Sequence, residues 1–438
     1  EQLVCAHTRP APRARASRAG APPRADTRLR AVSAPSPEPA PYTLPIKLGG
    51  LQGKAIEAGR SPYPAMQEVL AAIPQRCFER DTAKSLAYAA VSVALTAGVA
   101  ALAWAVIPLK AAYWPAWLAY AALNGTVATG AWVVAHECGH GAFSDNAAVQ
   151  DAVGYALHSA LLVPYFSWQR SHAVHHARTN HIDEGETHVP MRDTDADGAA
   201  TLRAKEVMGD GPFAVLNLLG VLFFGWPMYL LFGSSGGPVR GKTNHFWPWA
   251  GEQKQHALFP GKWKRKVLQS DVGVLATVAA LGAWAAHAGS AWPVLALYAG
   301  PYMFTNLWLV LYTWLQHTDT DVPHFEDKNW SFVKGAFMTI DRPYGATLDF
   351  LHHRIGSTHV AHHVESAIPH YHALDATNAL KEKFPELYLY DPTPVLQALW
   401  RVATKCVAVD KRGDRWVFIA EKEQRQYFGE PLPGYVAP

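Results

Sequence analysis

Residues Val133–Asn146 read VVAHECGHGAFSDN, an apolar run that ends in two histidines four residues apart. At that spacing His136 and His140 share one face of a helix. Glu137 lies beside them, as in the HExxH helix of zinc proteases. The segment before them, Ala112–Ala135, has no charged residue and is long enough to cross a hydrocarbon core of ~30 Å. The histidine pair therefore stands at the mouth of a candidate membrane span, and the rest of the chain must show whether HECGH is a whole site or a corner of one.

Four more long apolar segments flank it: Ser85–Leu109, Phe213–Phe232, Val272–His287 and Trp292–Leu315. Asp151–Phe166 is apolar but too short to cross twice, so it is expected in the interface. Two further histidine clusters follow, "SHAVHHARTNH" with His172, His175 and His176, and "THVAHHVES" with His359, His362 and His363. If all clusters face one side, an even number of crossings separates any two. Three apolar segments lie between the second and third clusters, so one of them fails to cross. The Gly225–Pro227 "GWP" interruption selects 213–232 as the interfacial or partly inserted helix.

The basic residues agree with four crossings and both termini inside. Arg76, Arg80 and Lys84 precede the first span. Arg170, Arg178, Arg192, Arg203 and the "KWKRK" run at Lys262–Lys266 fall on the cluster side, and the last interspan loop has no Lys or Arg. The chain has 438 residues, 49% hydrophobic and 17% charged, with 16 Trp, a balance suited to partial solvation by lipid. A net charge of +3 gives no case for nucleic acid. Four cysteines without CxxC spacing make no disulfide framework, and a reducing compartment follows. Thr8–Arg30 is rich in Arg, Ala, Pro and Ser, a composition typical of an organelle transit peptide. The expected organisation is a transit or disordered segment over 1–40, a linker over 41–70, one membrane domain over 71–420 and a tail over 421–438.

Eight clustered imidazoles exceed the three or four protein ligands one zinc takes. They suffice for two metals with positions left for water or oxygen, although imidazole alone does not select among Fe, Zn, Cu and Ni. A membrane zinc protease would leave both HxxHH boxes without a purpose, so HECGH is one corner of a larger site. The scattered His158, His245, His256 and His287 are expected as polar surface or interface residues.

HxxxH, HxxHH and HxxHH in this order closely resemble the histidine boxes of the membrane-bound fatty acid desaturases. So do "AIPQRCFERD", "HECGHGAFSDN", "LLVPYFSWQRSHAVHH", "TWLQHT", "DRPYG" and "THVAHH...IPHYHALDAT", which resemble the Δ12/ω-3 acyl-lipid branch from about Pro62 to Val417. The resemblance implies an all-α integral membrane protein with four transmembrane helices plus interfacial helices. A cytosolic or stromal helical cap would hold two iron ions on His136, His140, His172, His175, His176, His359, His362 and His363. It implies a ninth ligand at His317. His181, His188, His353, His370 and His372 are expected as supporting or surface residues.

Taking hydrogen from an unactivated methylene demands a strong oxidant, which iron activating O2 supplies and side chains do not. Two abstractions from neighbouring carbons of a membrane-lipid acyl chain would leave a cis double bond and water. Glu137, Asp145, Glu186, Asp341 and Glu365 are candidate acceptors that orient imidazoles, and Tyr165, Phe166 and Trp168 candidates for the substrate entry. Without a haem motif or iron–sulfur cysteines, electrons must come from a separate donor: ferredoxin in a plastid, which the N-terminus favours, or cytochrome b5 at the endoplasmic reticulum. HECGH and THVAHH favour Δ12 chemistry on oleate, and HGAFS and IPHYH resemble the ω-3 type. A hydroxylase on the same iron scaffold is a third outcome. A metal transporter is disfavoured, because the predicted crossings carry no ionisable residue before His287.

Overall fold

A computed structural model describes residues 50–250 and 256–419. The transit segment, the start of the linker and the C-terminal tail lie outside the described residues. Among the described residues, five helices are long and apolar enough to cross a membrane: Thr82–Val106, Ala111–His140, Asp210–Phe232, Lys262–His287 and Trp292–His317. They coincide with the five apolar segments of the sequence. Thr82–Val106 leaves Leu102, Trp104 and Val106 exposed, as a lipid-facing helix does, and Asp81 caps its start by accepting from the Lys84 amide.

Trp114–His140 is the central helix. Thr82–Val106 runs antiparallel to it, since Ala89 shares a core cluster with Val134 and Ala103 shares another with Trp117. Trp292–His317 runs parallel to it. Tyr120 donates to the Leu297 carbonyl at 3.0 Å, Thr305 to the Gly125 carbonyl at 3.1 Å, and the Trp308 indole to Thr126 Oγ1 at 2.8 Å. The close approach needs Gly125, where a Cβ would stand 2.6 Å from the Pro301 carbonyl oxygen. Two helices that run parallel bring their C-terminal ends, His140 and His317, to the same level.

Three expectations change. The helix Asp210–Phe232 continues through Pro227 instead of breaking at "GWP", because Pro227 falls near its end and neighbouring groups compensate a lost amide in such a helix. Residues 41–70 are not all linker: Lys54–Arg60 packs Ala55, Ile56 and Ala58 into the interior, and the Gly53 amide donates to Asp321 Oδ2 at 3.0 Å. The described residues are also not wholly α. Met191–Arg192 pairs in parallel with Ala408–Arg412, which pairs antiparallel with Arg415–Phe418. Strands of two to five residues give too little alternation to read.

The short 151–166 segment spans two helices, Ala147–Ala160 and Tyr165–Ala177. Both pack on Lys262–His287, where Ser270 Oγ accepts from the Phe166 amide at 2.9 Å. A buried ionic knot fixes the exit of the last long helix. Arg342 pairs with Asp319 at 2.8 Å and with Asp391, Arg401 bridges the same two carboxylates at 2.6 and 2.7 Å, and Arg342 Nε donates to the Leu315 carbonyl. Two cations facing two anions, with Arg342 and both aspartates fully buried, satisfy one another where an unpaired charge would be costly.

Candidate metal centre

Four elements deliver histidines to one place. Trp114–His140 brings His136 and His140 in its last turn, which Gly141 closes in the left-handed region at φ 79°. Tyr165–Ala177 brings His172, His175 and His176, the six-residue helix His359–Val364 brings His359, His362 and His363, and His317 is the last residue of its helix.

Their ring nitrogens face one another. His136 Nε2 lies 3.2 Å from His140 Nε2 and 3.0 Å from His172 Nε2, and His172 Nε2 lies 3.3 Å from His176 Nε2. On the other side, His317 Nε2 lies 3.2 Å from His175 Nε2 and 2.9 Å from His359 Nε2. The possible ligand atoms of His136, His140, His172 and His362 all lie within 4.8 Å of one another, and so do those of His175, His317 and His363. His176 joins the two groups: it touches His172 and stacks on His363, with ring centroids 4.0 Å apart.

Burial first, and then the neighbouring imidazoles, hold His172, His176, His359, His362 and His363 well below the ordinary histidine range; burial pushes His175 down to about 3. These rings are neutral at physiological pH, and each keeps a lone pair. His317 Nε2 faces two other Nε2 atoms and cannot share a proton with both. Among the described residues the buried Nε2 atoms of His362 and His363 have no hydrogen-bond partner. Orphaned lone pairs converging from four elements fit metal cations, in two groups of a size that suits two.

Hydroxyls orient the rings, a role the sequence reading gave to carboxylates. Thr179 Oγ1 lies 2.7 Å from the His175 carbonyl and 3.1 Å from His363 Nδ1. A hydroxyl has one proton. Donated to the carbonyl, it leaves Thr179 accepting from His363 Nδ1–H, so His363 Nε2 carries the free lone pair. Thr187 Oγ1 contacts His175 Nδ1 at 2.6 Å. The available signal was Thr179 itself, four residues beyond His175, where a threonine bonds back to the preceding turn.

Among the five candidate carboxylates, Glu137 lies 3.7 Å from His136 Nδ1 and accepts from the His370 amide at 2.8 Å. Asp341 holds the third box by its backbone, accepting from the Val360 amide at 2.9 Å and from Tyr388 at 2.5 Å. Glu186 accepts from Tyr229 at 2.7 Å. Asp145 pairs with Arg80 at the surface and Glu365 accepts from the Ala367 amide. No hydrogen bond joins Glu186, Asp145 or Glu365 to a box histidine.

Other histidines fall outside the cluster. His181 Nδ1 accepts the amides of Asp183 and Glu184, which places its proton on Nε2, 2.7 Å from Asp327; no lone pair remains for a metal. His353 meets Ser92 and packs on His370, and His372 lies apart in the His370–Lys383 helix. His158 and His245, expected near the surface, are fully buried. His158 sits among Trp132, Tyr165 and Trp168, and His245 Nε2 meets Ser171 Oγ at 2.9 Å.

A largely apolar cavity of about 310 Å³ reaches His172 and His175 between the helices Asp210–Phe232 and Trp292–His317. Trp132, Trp168, Val221, Trp226, Val310 and Trp314 are among its walls. Trp168, a candidate for the substrate entry, lines this cavity. Tyr165 and Phe166 do not line this cavity, because they pack into a separate core with Val134 and Cys138.

The fatty acid desaturase family matches residues 112–394. A Δ12-acyl-lipid desaturase of Punica granatum is 39% identical over 360 residues, 81% of this chain and 89% of its own. An oleoyl-12-hydroxylase of Ricinus communis is 38% identical over 341 residues, 77% of this chain and 85% of its own. An omega-6 fatty acid desaturase, endoplasmic reticulum isozyme 2, of Glycine max is 37% identical over 358 residues, 80% of this chain and 88% of its own. With this match, the histidine centre and five helices of membrane-crossing length, the chain belongs to the fatty acid desaturase family and is an integral membrane oxidoreductase.

Proposed function

We propose that the protein introduces a cis double bond at the Δ12 position of an oleoyl chain carried by a membrane lipid. Two iron ions would sit on His136, His140, His172, His175, His176, His317, His359, His362 and His363, with O2 as co-substrate. The observation that carries this reading is the convergence of nine imidazoles, seven of them buried and His140 and His172 half-buried, beside a largely apolar cavity. When bound, the irons supply an oxidant strong enough to take hydrogen from an unactivated methylene. The protein's own contribution is positional. Trp132, Trp168 and Trp226 shape the cavity against His172 and His175, hold an acyl chain beside the metals and keep bulk water away. Thr179 and Thr187 fix the rings that receive the metals.

The membrane topology we favour has four crossings. His140 and His317 end parallel helices at one level, so an even number of crossings lies between them. Asp210–Phe232 is the segment that stays in the interface. It is tied to non-spanning elements along its length: Asp210 pairs with Lys205, Asn217 donates to the Ala403 carbonyl, and Tyr229 donates to Glu186.

The N-terminal composition favours a plastid membrane with ferredoxin as donor. The soybean relative supports the endoplasmic reticulum alternative, with cytochrome b5. The castor relative supports a second reading, hydroxylation on the same scaffold. Expression in a host that makes oleate, followed by chromatography of fatty-acid methyl esters, separates these outcomes. Linoleate is the expected product. α-Linolenate formed only when linoleate is fed would give the ω-3 reading, and a hydroxylated ester would give the second.

A further inference from the structure

One imidazole at the centre belongs to no box and, among the described residues, makes no side-chain hydrogen bond. His188 forms part of the cavity wall, and its ring lies nearly parallel to that of His317, 6° apart in plane with centroids 5.6 Å apart. It is outside the set of converging ligand atoms formed by His175, His317 and His363. Among the described residues neither ring nitrogen of His188 makes a hydrogen bond, whereas His172 and His175 on the same wall each face another side chain.

The chain holds His188 in place with some effort. Its φ is +55°, a left-handed conformation that side chains other than glycine enter at a cost and that collects at binding and catalytic sites. Both neighbours are pinned. Thr187 Oγ1 contacts His175 Nδ1 at 2.6 Å, and the Val189 amide donates to the Ser235 carbonyl at 3.1 Å. Between these two anchors the His188 ring lines the cavity beside His317.

We propose that His188 is a ligand-binding residue of this cavity, whose ring hydrogen-bonds a small polar or anionic ligand lodged between the acyl chain space and the His175–His317–His363 group. The inference rests on the iron reading above. It differs from that reading in giving His188 no metal. An imidazole on the wall beside a metal group offers a small ligand a directional contact that the tryptophan and valine parts of the wall do not.

The probe is azide, titrated optically into the purified, iron-loaded full-length protein, with iron content measured on the same samples. The variants are His188→Phe, which keeps the stacked aromatic face and removes the hydrogen bond, and His188→Asn, which keeps a donor and loses the ring. His188→Phe should retain the wild-type iron content and bind azide roughly ten- to hundredfold more weakly, the scale of a hydrogen bond to a charged group. His188→Asn should fall between the two. Unchanged azide affinity in His188→Phe would overturn the proposal, and so would loss of iron from it, which would make His188 a metal ligand. Wild-type protein that holds no iron would instead bring down the metal reading, a result visible before any variant is compared.

Discussion

The first and third histidine boxes reach the same centre on very different supports. His136 and His140 ride on a 27-residue helix buried along most of its C-terminal half, whose own hydrogen-bond ladder and packing fix where its last turn points. His359, His362 and His363 occupy a helix of six residues, well under the length at which a helix is stable alone. That helix is held from outside. Asp341 accepts from its Val360 amide, Tyr388 donates to Asp341, and the Arg342 amide donates to the Gly356 carbonyl just before it. Local repetition places one box, and long-range polar contacts place the other.

This contrast predicts that activity and stability separate where a box rides on its own helix and fall together around the short His359–Val364 helix. The largest effect on activity comes from His175→Ala. Alanine is the best helix former, so the Tyr165–Ala177 helix should persist and the protein should remain in the membrane with an unchanged melting temperature. Product, read as methyl esters, should drop below detection. Residual product near the wild-type level would remove His175 from the centre.

Arg342→Ala comes next and should behave in the opposite way. It leaves Asp319 and Asp391, both fully buried, with Arg401 as their remaining cation. Removing one partner from such a set costs roughly 3–5 kcal/mol. Because Arg342 also ties the Leu315 carbonyl, two residues before His317, activity should fall with stability. Thermal unfolding in detergent checks this, and a variant as stable as wild type would show that Arg401 alone neutralises the pair.

The same contrast explains what could be read from sequence. The boxes were legible because HxxxH and HxxHH match the helical repeat, and the spans because apolar length is a strong signal. His317 has no repeat of its own and entered only through the family resemblance. Arg342, Asp319 and Asp391 were illegible because their partnership joins positions 23 to 72 residues apart with no pattern between them. The sequence also misjudged His158 and His245. A lone histidine outside the boxes reads as surface, but here aromatic rings enclose the first and Ser171 meets the second. Pro227 reads as a break in any sequence and is absorbed in this helix.

Thr179 stands where the two kinds of support meet, and it gives the smallest and sharpest test. It follows the helix that bears the second box, bonds back to that helix at the His175 carbonyl, and reaches across to His363 of the third box. Thr179→Val keeps the shape and removes the oxygen, so His363 loses the acceptor that places its proton on Nδ1. Outer contacts of this kind typically govern 10–100-fold in metal affinity, and a loss of roughly that size is expected in a chelator-competition titration with ferrous iron. Thr179→Ser restores the oxygen and should restore the affinity. If Val and Ser bind iron equally well, stacking of His363 on His176 is enough to orient the ring. The third box would then depend on packing, as the first does, and the distinction between the two supports would narrow to the ionic knot and Asp341.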